Sequence, residues 1–173
     1  MQLEVRTPGH VYCKVAVSHR GARIVACAEG ELFVWDGVTG KLHRRFTLSS
    51  RREALALLPG GRHVAAVSAS EASVWDTESG ERLFALESDS QLLESLKKPK
   101  IATSSCGRLV AACGKLWPVS QRPYIQYIVV TWDTLSGRAL FRTEHKHSPR
   151  PRFEWCGAVA VAPLTTMAHE LLG

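Results

Sequence analysis

Two histidines one residue apart, His145 and His147, with Cys156 a short way downstream, are the first residues whose types and spacing suggest chemistry. Imidazole and thiolate are ligands that zinc favours, and tetrahedral sites are commonly built from such close pairs. The pair stands in a run rich in Lys, Arg and Pro, which reads as a solvated loop, and no second close ligand pair follows. His10, His19, His43 and His63 are scattered and read as turn or surface residues. Asp36, Asp76 and Asp133 each open a turn and are not paired with a second acid, so hairpin capping is the expected role for them. No phosphate-cradling glycine loop, HExxH helix or GxSxG elbow occurs. No catalytic residue, cofactor or metal is expected.

Recognition is the other chemistry to weigh. Between Lys115 and Tyr127 the chain holds Trp117, Tyr124 and Tyr127 with Lys115 and Arg122 and no acid. Aromatics beside arginine are the composition of interface hot spots, and Pro118 and Pro123 lower the entropy lost when such a segment is ordered. Trp155, just after Arg150-Pro-Arg-Phe-Glu, reads either as core filling or as a further exposed aromatic for a partner. Lys115, Trp117, Arg122, Tyr124, Tyr127 and Trp155 are therefore the candidate partner-binding residues. The competing account of the 115–127 stretch is a β-hairpin extension whose aromatics pack on their own unit.

The elements that must hold these residues repeat. Val34-Trp35-Asp36, Val74-Trp75-Asp76 and Thr131-Trp132-Asp133 are each followed by a hydroxyl residue and glycine, at Thr39-Gly40, Ser79-Gly80 and Ser136-Gly137. The register holds upstream, where Gly21 aligns with Gly61 and Gly107, and Ile24-Val25-Ala26 with Val64-Ala65-Ala66. Apolar runs of four to six residues, rich in β-branched and small side chains and bounded by glycine turns, predict short strands. Four strands in roughly 40 residues is the size of a propeller blade. The third unit carries extra residues between its second and third strands, near Lys115 to Tyr127.

At these Trp-Asp-x-x-Thr/Ser-Gly signatures the chain resembles the WD-repeat family of β-propellers, over about residues 10 to 163. The resemblance implies an all-β fold of antiparallel four-stranded blades around a channel, and a scaffold that presents its loops to protein partners. The units are placed at about 10–47, 53–87 and 100–142, with the start of a fourth at 157–163 and a divergent tail, weakly helical, at 164–173. About three blades and a stray strand make an incomplete ring, which predicts a fragment, a truncated variant or one part of an assembly completed by a longer chain or another subunit. The family's aspartate before each tryptophan is replaced by Glu29, Ala69 and Gln126, so its Asp-His-Ser/Thr-Trp network is not expected.

Composition sets the remaining bounds. With 45% hydrophobic and 22% charged residues the chain reads as globular, and no apolar run approaches the ~20 residues of a membrane span. The N-terminus lacks the apolar block of a secretory signal, and five cysteines form no CxxC pair. A cytoplasmic location, with the nucleus as the alternative, and no membrane partner are expected. Cys13, Cys27 and Cys113 lie by apolar runs and read as core thiols. Net charge is +6, and the long-loop rim carries ten basic residues against six acids. The resulting reading is a non-catalytic protein-interaction scaffold, with nucleic-acid or anion binding through basic rim loops as the alternative. Gln91 to Leu96 forms an apolar helical turn, serving either as a lid on the rim or as a docking helix.

Overall fold

A computed structural model describes residues 14–18, 20–48, 54–68, 71–88, 93, 96–116 and 125–147. It is all-β. Blade 1 is β1 (Lys14–Val17), β2 (Arg23–Ala28), β3 (Glu31–Asp36) and β4 (Leu42–Thr47). Blade 2 is β5 (Ala54–Leu57), β6 (His63–Val67), β7 (Ala72–Asp76) and β8 (Arg82–Ala85). Blade 3 is β9 (Leu96–Thr103), β10 (Leu109–Leu116), β11 (Ile125–Asp133) and β12 (Ala139–His147). Each blade is a separate antiparallel sheet whose strands pair in chain order. The first strands of successive blades, β1, β5 and β9, approach one another, and the described residues form an incomplete propeller.

Two turn types produce this pattern. The Asp-x-x-Thr/Ser-Gly run closes the hairpin between the third and fourth strands, with Gly40, Gly80 and Gly137 at φ of 70°, 76° and 70°. A side chain is disfavoured at that φ, and the glycine leaves a one-residue register shift just before each Trp-Asp pair. The hairpin between β2 and β3 of blade 1 turns on Glu29 and Gly30, both with positive φ, as a two-residue turn matched to strand twist requires.

Strand alternation supplies two apolar faces per blade, and these form the core. Val25, Cys27, Leu32 and Val34 of blade 1 meet Leu55, Leu57, Val64 and Ala66 of blade 2, with Phe46 stacked on Trp75 at 5.5 Å between ring centres. Ala65, Val67, Ala72 and Val74 on the other face of blade 2 meet Val110, Ala112, Ile128, Val130 and Trp132 of blade 3. Glu87 ties this second interface together. Its amide donates to the Gly137 carbonyl, its carbonyl accepts from the Trp132 indole, and its carboxylate accepts from the Ala139 amide. Trp75 and Trp132 thus pack between blades. Trp35 lies on the face of blade 1 turned away from blade 2, stacked on Phe33 and buried there.

The third blade departs from the sequence reading. Stretches read as loop, Leu96 to Lys100, Gly114 to Leu116, Ile125 to Gln126 and Thr143 to His147, are strand. All four strands of the blade are lengthened at one end, and pairing across the sheet satisfies their backbone groups. Pro99 is accommodated because β9 is an edge strand and carries a bulge there, so no ladder bond is demanded of it. His145-Lys146-His147 therefore lies in β12 and not in a solvated loop. Leu96 opens β9 and does not continue a helical turn, while Leu93 is fully buried in the blade 2–blade 3 core, which removes it from any docking helix. The start of the first unit, the fourth-strand stretch 157–163 and the tail 164–173 lie outside the described residues.

Candidate functional site

The rim of tight turns is fixed by three repeated carboxylates. Asp36 Oδ1 accepts from the amides of Val38 and Thr39 and from the Thr39 hydroxyl, at 3.0, 2.7 and 2.9 Å. Asp76 Oδ1 accepts from the Glu78 and Ser79 amides at 2.7 and 3.0 Å, and Asp133 Oδ1 from the Leu135 amide at 2.8 Å. Hairpin capping, expected from the sequence, is what the geometry shows. Each acid also meets an arginine at the start of the second strand: Arg23 with Asp36 at 3.2 Å, Arg62 with Asp76 at 3.0 Å and Arg108 with Asp133 at 3.0 Å. The turn amides and these guanidinium groups hold all three carboxyls below the usual range. Such groups have stabilising partners, and the arrangement is a clamp, not an acid–base pair.

Asp76 gives this clamp a measurable signature. Its side chain is almost wholly buried, and the Ser79 amide above all, with Arg62 and Glu78 adding, lowers its pKa from 3.8 to about 2 against the opposing effect of burial. A carboxyl lowered on folding contributes stability in full above its unfolded value and loses it as pH falls through the folded one. Asp76→Asn is therefore expected to flatten the fall in unfolding free energy between pH about 4 and about 2. Urea titrations at a series of pH values check this, and an unchanged slope would remove Asp76 from the account.

Blade 1 and blade 2 are also joined by charge on this rim. Glu78 accepts from Arg23 through one oxygen and lies 2.7 Å from His43 Nε2 through the other. Nothing beside His43 in the chain marks it for an inter-blade contact, since its partner is 35 residues away. Between blades 2 and 3 a shallow cleft of about 310 Å³ opens, lined by Pro59, His63, Leu83, Phe84, Cys106 and Leu135 among others. Cys106 is exposed there. Its thiol lies 3.4 Å from the Ser104 hydroxyl, whose hydrogen bond lowers its pKa. Cys27 is buried as expected, and Cys113 is half-buried with its pKa raised by burial, while Cys13 lies outside the described residues. Among the described residues no three His, Cys, Asp or Glu side chains converge as a metal would require.

Of the candidate partner-binding residues, Lys115 and Tyr127 belong to strands that extend toward the opposite rim. The lengthened strands bring Lys115 and Tyr127 together as directly opposed residues of β10 and β11. Leu116 and Gln126 form the next pair, so the strands on either side of residues 117–124 continue the sheet as a paired hairpin. Trp117, Arg122, Tyr124 and Trp155 lie outside the described residues. The register adds residues the sequence reading did not group with them: Lys97 opposes Lys115 on one side, and His145 opposes Tyr127 on the other.

No protein-family model and no curated protein matches the chain. Solved structures do share its fold. A chain of hydrazine synthase from Kuenenia stuttgartiensis aligns over 78% of this chain with a TM-score of 0.58 and 18% identity. The matched part is 37% of the hydrazine synthase chain. The computationally designed Ika4 protein aligns over 85% of this chain and 81% of its own, with a TM-score of 0.57 and 22% identity. At such identities the likeness is one of fold alone. Among the described residues no helix is long and apolar enough to cross a membrane.

Proposed function

We propose that the chain is a non-catalytic, cytoplasmic interaction scaffold of the WD-repeat type, which binds partner proteins through the lengthened third blade. One observation carries this reading. The turn rim carries the same aspartate–arginine clamp in all three blades, whereas on the opposite rim blade 3 alone extends its four strands, two of them joined by the aromatic and basic stretch 117–124. A rigid platform carrying one irregular projection is how folds commonly present binding residues. The acids that could have served catalysis are engaged in turn clamps.

The test keeps the sheet intact. Replacing residues 117–125 with Asn-Gly preserves the Leu116–Gln126 pair and supplies a two-residue hairpin turn. The shortened protein is expected to melt as the parent does while losing partners retained by the parent in quantitative pull-downs. If every partner is kept, the projection is structural and the scaffold reading loses its site.

A further inference from the structure

The two junctions between blades differ at the same three positions. Where blade 1 meets blade 2, Arg23 and His43 of blade 1 both hold Glu78, which stands in the hairpin turn of blade 2. Strand register fixes the equivalents one blade on. His63 opposes Asp76 as Arg23 opposes Asp36. Leu83 fills the bulge after Arg82, the partner of Trp75, as His43 fills the bulge after Leu42, the partner of Trp35. Leu135 follows Asp133 by two residues, as Glu78 follows Asp76. The charged latch of the first junction is thus His63, Leu83 and Leu135 at the second, and these three line the cleft of about 310 Å³ that opens there.

The cleft is walled by described residues, and Leu83 and Leu135 remain 44% and 77% exposed in the 173-residue chain. Single exposed apolar residues are ordinary on a protein surface, but these converge with Pro59 and Phe84 on one concavity. Its volume is at the lower end for ligand sites, which suits an inserted side chain and not a large cofactor. The charge beside it also has a direction. Arg62 and Arg108, each next in the chain to a residue of the wall, keep their clamped carboxylates buried and their own guanidinium groups exposed. Arg62 donates to Asp76 through Nε, and among the described residues its terminal nitrogens have no partner. A planar guanidinium with free N–H groups receives a carboxylate through paired bonds. Glu81, exposed two residues before Leu83, offsets only part of this charge.

We propose that the cleft between blades 2 and 3 is a docking site for a short peptide segment of a partner protein, whose leucine-like side chain enters between Leu83, Phe84 and Leu135 and whose neighbouring carboxylate meets Arg62. This is a second interaction surface, separate from the hairpin of blade 3.

The test uses the full chain and a labelled eight-residue peptide with two central leucines flanked by glutamates. In one control peptide serines replace the leucines, and in the other lysines replace the glutamates. In fluorescence anisotropy the first peptide is expected to bind about tenfold or more tightly than either control. The His63→Arg, Leu83→His, Leu135→Glu variant copies the latch of the first junction into the second. It is expected to bind the peptide about tenfold or more weakly and to melt no lower than the parent. Should that variant unfold, Leu135→Ser, at an exposed turn position, is expected to weaken binding while leaving the melt unchanged. Cys106, exposed in the cleft, supplies a footprint: saturating peptide is expected to slow its alkylation by iodoacetamide, read at that residue by mass spectrometry. No binding, a control bound as tightly as the peptide, undiminished affinity in the folded variant, or unchanged Cys106 labelling would each overturn the proposal. Self-association abolished by Leu135→Ser would give the cleft to a second copy of the chain and overturn it as well. The hairpin replacement at 117–125 leaves these residues in place, so the two readings stand or fall separately.

Discussion

Trp132→Ala is expected to lower the unfolding free energy by about 3–5 kcal/mol, the largest effect of any single replacement among the described tryptophans. Trp132 is fully buried among residues of blades 2 and 3. Truncation removes its ring from both faces at once and leaves a void that neither rigid sheet can close. It also removes the donor to the Glu87 carbonyl, at the residue that joins the two blades by three bonds. Trp75, partly exposed, stacks on Phe46 and donates to Ser73 within its own strand, so Trp75→Ala is expected to cost less. Chemical denaturation of the two variants beside the parent decides the order. Equal losses would mean that burial at the second interface does not set the scale.

Gly37→Thr is expected to destabilise by about 3 kcal/mol, although it makes blade 1 match its neighbours. Thr77 and Thr134 hold the equivalent position after the aspartate in blades 2 and 3. Their hydroxyls donate to the carbonyls of Gly61 and Arg62 and of Gly107 and Arg108. In blade 1 a Cβ on Gly37 would lie 1.6 Å from the Gly21 carbonyl oxygen, where no atom fits. Gly37 does not have positive φ, so the obstacle is space and not backbone conformation. Thermal melts of Gly37→Thr and Gly37→Ala check this, since both should fall. A Gly37→Thr protein as stable as the parent would show that the turn relaxes at little cost.

What could be read from the sequence was what neighbouring residues decide. Asp36, Asp76 and Asp133 cap their turns through amides two and three residues away, so the signature predicted both the hairpins and the role of the acids. The arginines that complete each clamp escaped notice because Arg23 follows its turn glycine by two residues, while Arg62 and Arg108 follow theirs by one. The lengthening of blade 3 escaped for a different reason. Lysines, a proline and a glycine have low strand preference, and only pairing across four strands overrides it. Lys115 and Tyr127 were legible as a candidate pair, but Lys97 and His145 enter their row through contacts some 18 residues away in the chain. Trp35 repeats Trp75 in the sequence signature, yet its face looks away from the only adjoining blade described.

The strand order within each blade has a kinetic consequence. Since β1 to β4 pair in succession, as do β5 to β8 and β9 to β12, nearly every backbone pairing closes a short loop. Such pairings form early, and the slow part of the search is left to the meeting of finished sheets. Blade 2, covered on both faces, then opens only when a neighbour has first come away, whereas blades 1 and 3 have one described neighbour each. Among the described sheets the middle one is therefore expected to let go last.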